Sequence, residues 1–422
     1  MDWIAKNDEM RMKVLFTFSG LPHYLIVLLN RLVSYHGINV NVVIPKNRGI
    51  SLGEGIKLGD VEDEYLFSVF QLEEYRGKFN KPYFMNLHAL ITQVSPDIMV
   101  MGWPYILNYS LDFSSRRVIR RNNISLAFRE IPFMVAPKNQ AIKYYRKYPI
   151  LNENLEIDSP GGLLFYPWAF GLNQMRKIYY KLADATLIYA SHGFKIHESF
   201  GISRDRIFLT YNSPDTDKIA KTRIMLEEKG LALTKPGKIL HLGRLVKWKR
   251  VDLLIDAVSQ LHEIHGNIEL SIIGSGPEEE NLKRMARIRL PEGAVKFHGA
   301  IYDSEELAKE IISSAIYVLG GMGGLSINEV MAYGLPVICS RCDGTERDLI
   351  SDGQSGLFFK EGDPVDLASK IEILLSDPNK SRAMGKNAFS VIEDKINLET
   401  VTQRYANCFE FLMLEKESTK GS

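Results

Sequence analysis

The sequence is poor in cysteine: three residues, Cys339, Cys342 and Cys408, in a chain of 422 are too few for a disulfide framework. Cys339 and Cys342 have C-x-x-C spacing, but no second pair or histidine cluster completes a zinc site, so they read as small residues at a strand end. No window reaches the roughly 18 uninterrupted apolar residues of a membrane span. The opening MDWIAKNDEMRMK mixes charges with isolated apolar residues and lacks the apolar core of a signal peptide, so a cytoplasmic location is expected. Charge of one sign is not in excess either. Lysine and arginine number 52 against 51 acidic residues, and a net +1 offers no surplus to draw nucleic acid by counterion release. Short-period repeats and low-complexity tracts are missing apart from a polar ESTKGS tail.

What is there is an alternation of strands and helices. MKVLFTF (12–18), the helical YLIVLLNRLVSYHG and INVNVVIP form a βαβ unit, and DIMVMG (97–102), ISLAFRE (124–130) and ATLIYAS (185–191) continue it as buried strands. Beyond Pro236 the pattern restarts with KILHLGRL (238–245), the helix VDLLIDAVSQLHEI, then IELSIIGSG (268–276), AVKFHGAI, AIYVLGG and LPVICS. Two doubly wound, Rossmann-like α/β halves follow, with a ligand cleft expected between them. The polar stretch 216–238 shows no strand signal and holds the boundary. The expected domains are 1–215, joined by a closing helix at about 398–416, and 216–397.

Residues 320–338, GGMGGLSINEVMAYGLPVI, set a glycine cluster before a single glutamate and an apolar run. Glycines admit close backbone approach, and a helix opening at such a loop turns unpaired N–H groups toward an anion, which suits phosphate.

Four motifs then carry a resemblance: G-R-L-V-x-x-K at Gly243 to Lys249, G-S-G-P-E at Gly274 to Glu278, V-x-F-x-G at Val295 to Gly299, and G-L-S-x-x-E-x-M-A-Y-G-L-P-V at Gly324 to Val337. In this order and spacing they resemble the retaining family-4 glycosyltransferases, which have the GT-B fold. The likeness covers the second half; in the first half only Gly20, the N-S-P-D-T element at Asn212 to Thr216 and the closing helix fit. It implies that Arg244 and Lys249 bind the two phosphates of a nucleotide-sugar donor, as fixed cations at a departing diphosphate would. Glu329 would hold the ribose by accepting bonds from vicinal hydroxyls. Gly20, Gly243, Gly274, Ile301, Gly323, Gly324, Leu325 and Ser326 complete the implied donor site.

The family's usual second glutamate, eight positions before Glu329, is Gly321 here, so hexose recognition must be rearranged. The histidine that often marks the first-half catalytic loop is also missing, since ISLAF ends in Arg129 and Glu130. Glu130 becomes a candidate sugar or acceptor contact, with a strand-end salt bridge as its alternative, and His23 is a weaker one. Asp215-x-Asp217 has metal-binding spacing but lies in an element where the family binds no ion, and neither metal nor cofactor is expected.

The resemblance implies retaining transfer of a hexose, with UDP the favoured nucleotide and a glycan or lipid-linked acceptor. The alternatives are a non-catalytic sugar-nucleotide-binding subunit and a GT-B-fold epimerase. A dehydrogenase is disfavoured because Gly274-x-Gly276 runs into Pro277 and Glu278 instead of completing G-x-G-x-x-G. Residues 138–181 interleave basic and aromatic side chains, among them Arg146, Lys147, Arg176, Lys177, Tyr145, Tyr166, Phe170, Tyr179 and Tyr180. With Arg116, Arg117, Arg120 and Arg121 they suit an anionic membrane surface; the alternative is an insertion packed on the first domain.

Overall fold

The computed structural model describes residues 12–46, 65–77, 81–130, 135–150 and 155–420, apart from positions 232, 266 and 343. The opening residues 1–11, and 151–154 within the basic and aromatic segment, lie outside the described residues.

The first domain is built on β1 (Met12–Thr17), β2 (Ile38–Pro45) and β3 (Ser68–Leu72), a small antiparallel pair β4 (Glu74–Arg76) and β5 (Pro82–Phe84), then β6 (Ile98–Gly102), β7 (Ser125–Glu130), β8 (Ala185–Ile188) and β9 (Ile207–Leu209). Seven of these form one parallel sheet in the order β3-β2-β1-β6-β7-β8-β9. The second domain carries β10 (Lys238–Leu242), β11 (Glu269–Ile273), β12 (Val295–Gly299), β13 (Ile316–Leu319), β14 (Val337–Ser340) and β15 (Gly356–Phe359), parallel in the order β12-β11-β10-β13-β14-β15. Helices cover both faces, so Val14, Leu15 and Phe16 are all fully buried, and a central strand reads as an unbroken apolar run. The strands without a clear sequence signal, β3, β9 and β15, are short and lie at sheet edges.

The polar stretch after position 215 is a helix, Thr216–Glu228, where the sequence reading placed a boundary. Asp215 caps it by accepting the Lys218 N–H at 3.0 Å, and it packs on the helices Ser304–Ile312 and Leu325–Ala332. The last helix, Leu398–Lys420, returns to the first domain. It packs on the helix His23–His36 and on β7, β8 and β9, with Phe409 edge-on to Phe16 at 6.0 Å between centroids. Arg31 ties the pieces together, pairing with Asp217 and with Glu399 at 2.9 Å. Asp215 and Asp217 therefore serve a cap and an interdomain ion pair, which accounts for their spacing without an ion.

Candidate active site

In the second sheet the strand order reverses between β10 and β13, and ligands of open α/β sheets bind beyond the strand ends at such a point. Three loops converge there: Gly243 to Arg250 after β10, Gly274 to Gly276 after β11, and Gly320 to Gly324 after β13. Their glycines first serve packing between loops. A Cβ on Gly274 would lie 1.9 Å from the Gly243 carbonyl oxygen, and one on Gly321 would lie 2.0 Å from that of Trp248.

Between the domains lies a cleft of about 1600 Å³. Small-molecule sites usually occupy about 300–1000 Å³, so there is room for two ligands side by side. From the second domain Arg244, Lys249, Glu329, Gly243, Gly274, Ile301, Gly324, Leu325 and Ser326 line it; from the first, Gly20, His23 and Glu130 do. Gly323 does not line the cleft. Its carbonyl and that of Met322, the latter at 2.9 Å, accept bonds from the Lys249 ammonium. Lys249 thus holds the β13 loop to the β10 loop and fixes its charge beside Gly324 and the start of the helix Leu325–Ala332, where the helix dipole adds to it.

The Arg244 Nε is shielded from solvent and makes no hydrogen bond to any described residue. Such a donor is costly unless a ligand supplies the acceptor. Glu329 sits half-buried on the helix Leu325–Ala332, and burial pushes its carboxyl up to about 7. The Tyr317 and Tyr333 phenols near it are also raised, mainly by burial and in part by the Glu329 charge. Tyr317 donates to the Leu242 carbonyl at 3.1 Å or shares its hydroxyl with Ser326 at 2.9 Å, fixing the side chain beside the helix start. Beneath Gly243 lies His241, a residue the sequence reading passed over. Burial lowers its pKa to about 4, so the ring is neutral, with Nδ1 directed at the Val318 carbonyl at 3.2 Å. Its only sequence signal was a histidine inside an apolar strand.

The first-domain wall departs further from expectation. Glu130 makes no strand-end pair with Arg129: its carboxylate accepts the Tyr179 hydroxyl at 3.1 Å and the Tyr180 hydroxyl. Burial raises its pKa, partly offset by the charge of nearby Arg176. Tyr145, Tyr179 and Tyr180 are buried, and Arg176 donates to the Tyr145 hydroxyl at 2.6 Å. These members of the basic and aromatic segment are interior and cannot meet a membrane. His23 opens the helix His23–His36 at the cleft edge. Lys81, Trp103, Arg129 and Arg176 also line the cleft, and no motif had marked them as a set.

Against known proteins, the profile described as "Glycosyl transferases group 1" matches residues 224–391. An uncharacterized glycosyltransferase of Methanocaldococcus jannaschii is 29% identical over 181 residues, 42% of this chain and 45% of that protein. A GDP-mannose-dependent alpha-(1-6)-phosphatidylinositol monomannoside mannosyltransferase of Mycolicibacterium smegmatis is 30% identical over 196 residues, 44% of this chain and 48% of that one. The chain spans about half the length of the curated relatives it matches. In three dimensions it resembles Anabaena HepE, solved in complex with UDP, with a TM-score of 0.62 at 16% identity over 94% of this chain and 100% of that one. The sucrose-phosphate synthase of Thermosynechococcus elongatus gives 0.65 at 17% identity, covering 96% and 100%. Both whole-chain likenesses span the two domains and the cleft between them, while the sequence match lies in the domain that carries Arg244, Lys249 and Glu329. The second domain thus matches the glycosyl transferases group 1 profile over residues 224–391, and the two domains together have the GT-B fold of these solved structures.

Proposed function

We propose that the protein is a retaining, metal-independent glycosyltransferase moving a hexose from a UDP-sugar to a glycan or lipid-linked acceptor. The observation that carries this reading is the convergence of Arg244, Lys249 and Glu329 on one wall of the cleft, beside the N-terminus of the helix Leu325–Ala332. The two cations meet the diphosphate, and the ionised Glu329 accepts the ribose hydroxyls. That HepE was solved with UDP and with UDP-glucose favours this nucleotide.

In the reaction the bond between the anomeric carbon and the β-phosphate oxygen breaks as the acceptor oxygen bonds to the same face of that carbon. The acceptor proton passes to a phosphate oxygen of the departing UDP. Arg244 and Lys249 lower the barrier by neutralising charge that grows on that diphosphate. This route needs no pair of carboxylates of the hydrolase kind. Incubation with radiolabelled UDP-hexoses and a lipid extract, with and without EDTA, tests it. EDTA-resistant transfer to an acceptor, with the donor's anomeric configuration kept in the product, supports the reading; UDP binding without transfer would favour the non-catalytic subunit.

We further propose a cytoplasmic location, peripheral on the inner face of the plasma membrane. Support comes from the helix Phe165–Tyr180 and the turn before it, where Leu163, Leu164, Phe170 and Ile178 are exposed at 87%, 69%, 60% and 59%. Basic residues lie on the helix packed against it, Lys143, Arg146 and Lys147 of Ala141–Lys147, and Arg117, Arg120 and Arg121 are exposed on the helix Phe113–Arg121. Apolar side chains flanked by cations match an anionic lipid surface. No helix among the described residues is long and apolar enough to cross a membrane.

A further inference from the structure

We propose that Arg129 is an anion-binding residue of the cleft, recognising a carboxylate or phosphate on the donor hexose or on the acceptor. The inference rests on the transfer reading above and narrows its substrates to charged ones.

Arg129 is the last residue but one of β7, beside Glu130 at the carboxyl edge of the first sheet, and lines the cleft together with the second-domain loops. Its Nε donates to the Tyr405 hydroxyl at 2.8 Å. Its guanidinium carbon stands 5.3 Å from the Phe18 ring centroid and 4.5 Å from that of Tyr189. The side chain is therefore held in place before any ligand arrives, so little freedom is lost when one binds. Nη2 is shielded from solvent and makes no hydrogen bond to a described residue, and no described carboxylate lies within ion-pair distance. The carboxylate beside it in sequence, Glu130, faces Tyr179 and Tyr180 instead. The other arginine of this wall, Arg176, is already engaged by the Tyr145 hydroxyl and lies near the Glu130 charge. Arg129 thus lines the cleft with a pre-aligned donor that no described residue satisfies. A planar guanidinium pairs best with a carboxylate or phosphate, and neutral hydroxyls would leave its charge uncompensated.

The test uses the full-length protein and four probes. UDP-glucuronate against UDP-glucose reports a charge on the donor; octyl phosphate against octyl glucoside, added to UDP-saturated protein, reports a charge on the acceptor. Calorimetry should show one anionic probe binding wild type about tenfold or more tightly than its neutral counterpart, the gain of one charge-assisted pair. Arg129→Met should erase that preference and Arg129→Lys keep part of it, while UDP alone binds all three proteins alike. The proposal is overturned if wild type prefers neither anionic probe, a result that needs no variant to fold, or if the preference survives in Arg129→Met. Failure of UDP itself to bind wild type would instead remove the transfer reading and this inference with it.

Discussion

The Trp248 carbonyl oxygen accepts the Met322 N–H at 2.9 Å and stands 2.0 Å from the point a Cβ on Gly321 would occupy. The loops after β10 and β13 therefore meet backbone to backbone. A glutamate at 321, as the resemblance would have it, has no room unless the Arg244 to Lys249 loop moves. The absence of a glutamate at 321 and the close packing of these two loops are one structural fact.

Replacing Gly321 with Ala should cost about 1–3 kcal/mol, as overpacking against fixed backbone does. The melting temperature should then fall by about 2–10 °C for a domain of this size. A thermal scan that shows no change would contradict the contact.

Arg244→Ala should lower turnover about 100- to 1000-fold, the loss of a charge partner aimed at the transition state. Because Arg244 Nε bonds no described residue, the melting temperature of the unliganded variant should stay near wild type. Near-normal turnover would remove Arg244 from the mechanism.

Glu329 has a pKa near 7 in the folded chain, against 4.5 for an ordinary glutamate. Its raised value means the folded state holds the proton more tightly, so its contribution to stability is full below pH 4.5 and is lost as pH rises to 7. Glu329→Gln should therefore stabilise the free protein at pH 8, by on the order of 1–3 kcal/mol. The same change removes an ionised acceptor of ribose hydroxyls and should weaken UDP binding. In wild type, UDP affinity should rise with pH up to about 7 and level off above it, since binding favours the ionised carboxylate. Calorimetric titration between pH 5.5 and 8.5 reads both effects, and a flat profile would count against ribose recognition by this group.

Glu130→Gln keeps the shape of the side chain but weakens the charge-assisted bonds it accepts from the buried Tyr179 and Tyr180 hydroxyls. A loss of about 1–3 kcal/mol is expected in chemical denaturation. A stable variant with an altered acceptor KM would instead restore Glu130 as a substrate contact.

Leu163→Asp with Phe170→Asp should abolish flotation with phosphatidylserine vesicles at low salt and leave UDP binding intact. Both side chains are exposed, so the fold should tolerate them. Equal flotation of variant and wild type would argue against the apolar patch as the docking face.

Much of the second-domain wall of the cleft was legible in sequence because it is local. Gly243 to Lys249 and Gly324 to Glu329 each bring their functional groups together within one turn of chain, directly after a strand, and strand ends are where α/β sheets bind ligands. The first-domain wall was not legible. Arg129, Glu130 and Arg176 come from separate elements, and their chemistry depends on which neighbours they face: Arg129 meets Tyr405 of the last helix, while Glu130 meets Tyr179 and Tyr180. The same holds for the aromatic segment, where Tyr145 turns inward and Phe170 outward, a division that residue type alone does not encode.

The sequence by itself determined two α/β halves, because alternating buried runs and amphipathic helices can bury their apolar faces only in layers. It also determined the close meeting of the loops after β10 and β11, because glycine is the residue that lets backbones touch where Gly274 meets Gly243. Only the tertiary structure decided which charges stand compensated. Pairing and burial are set by groups far apart in the chain, and these leave Arg129 and Arg244 each with a buried nitrogen that no described residue satisfies.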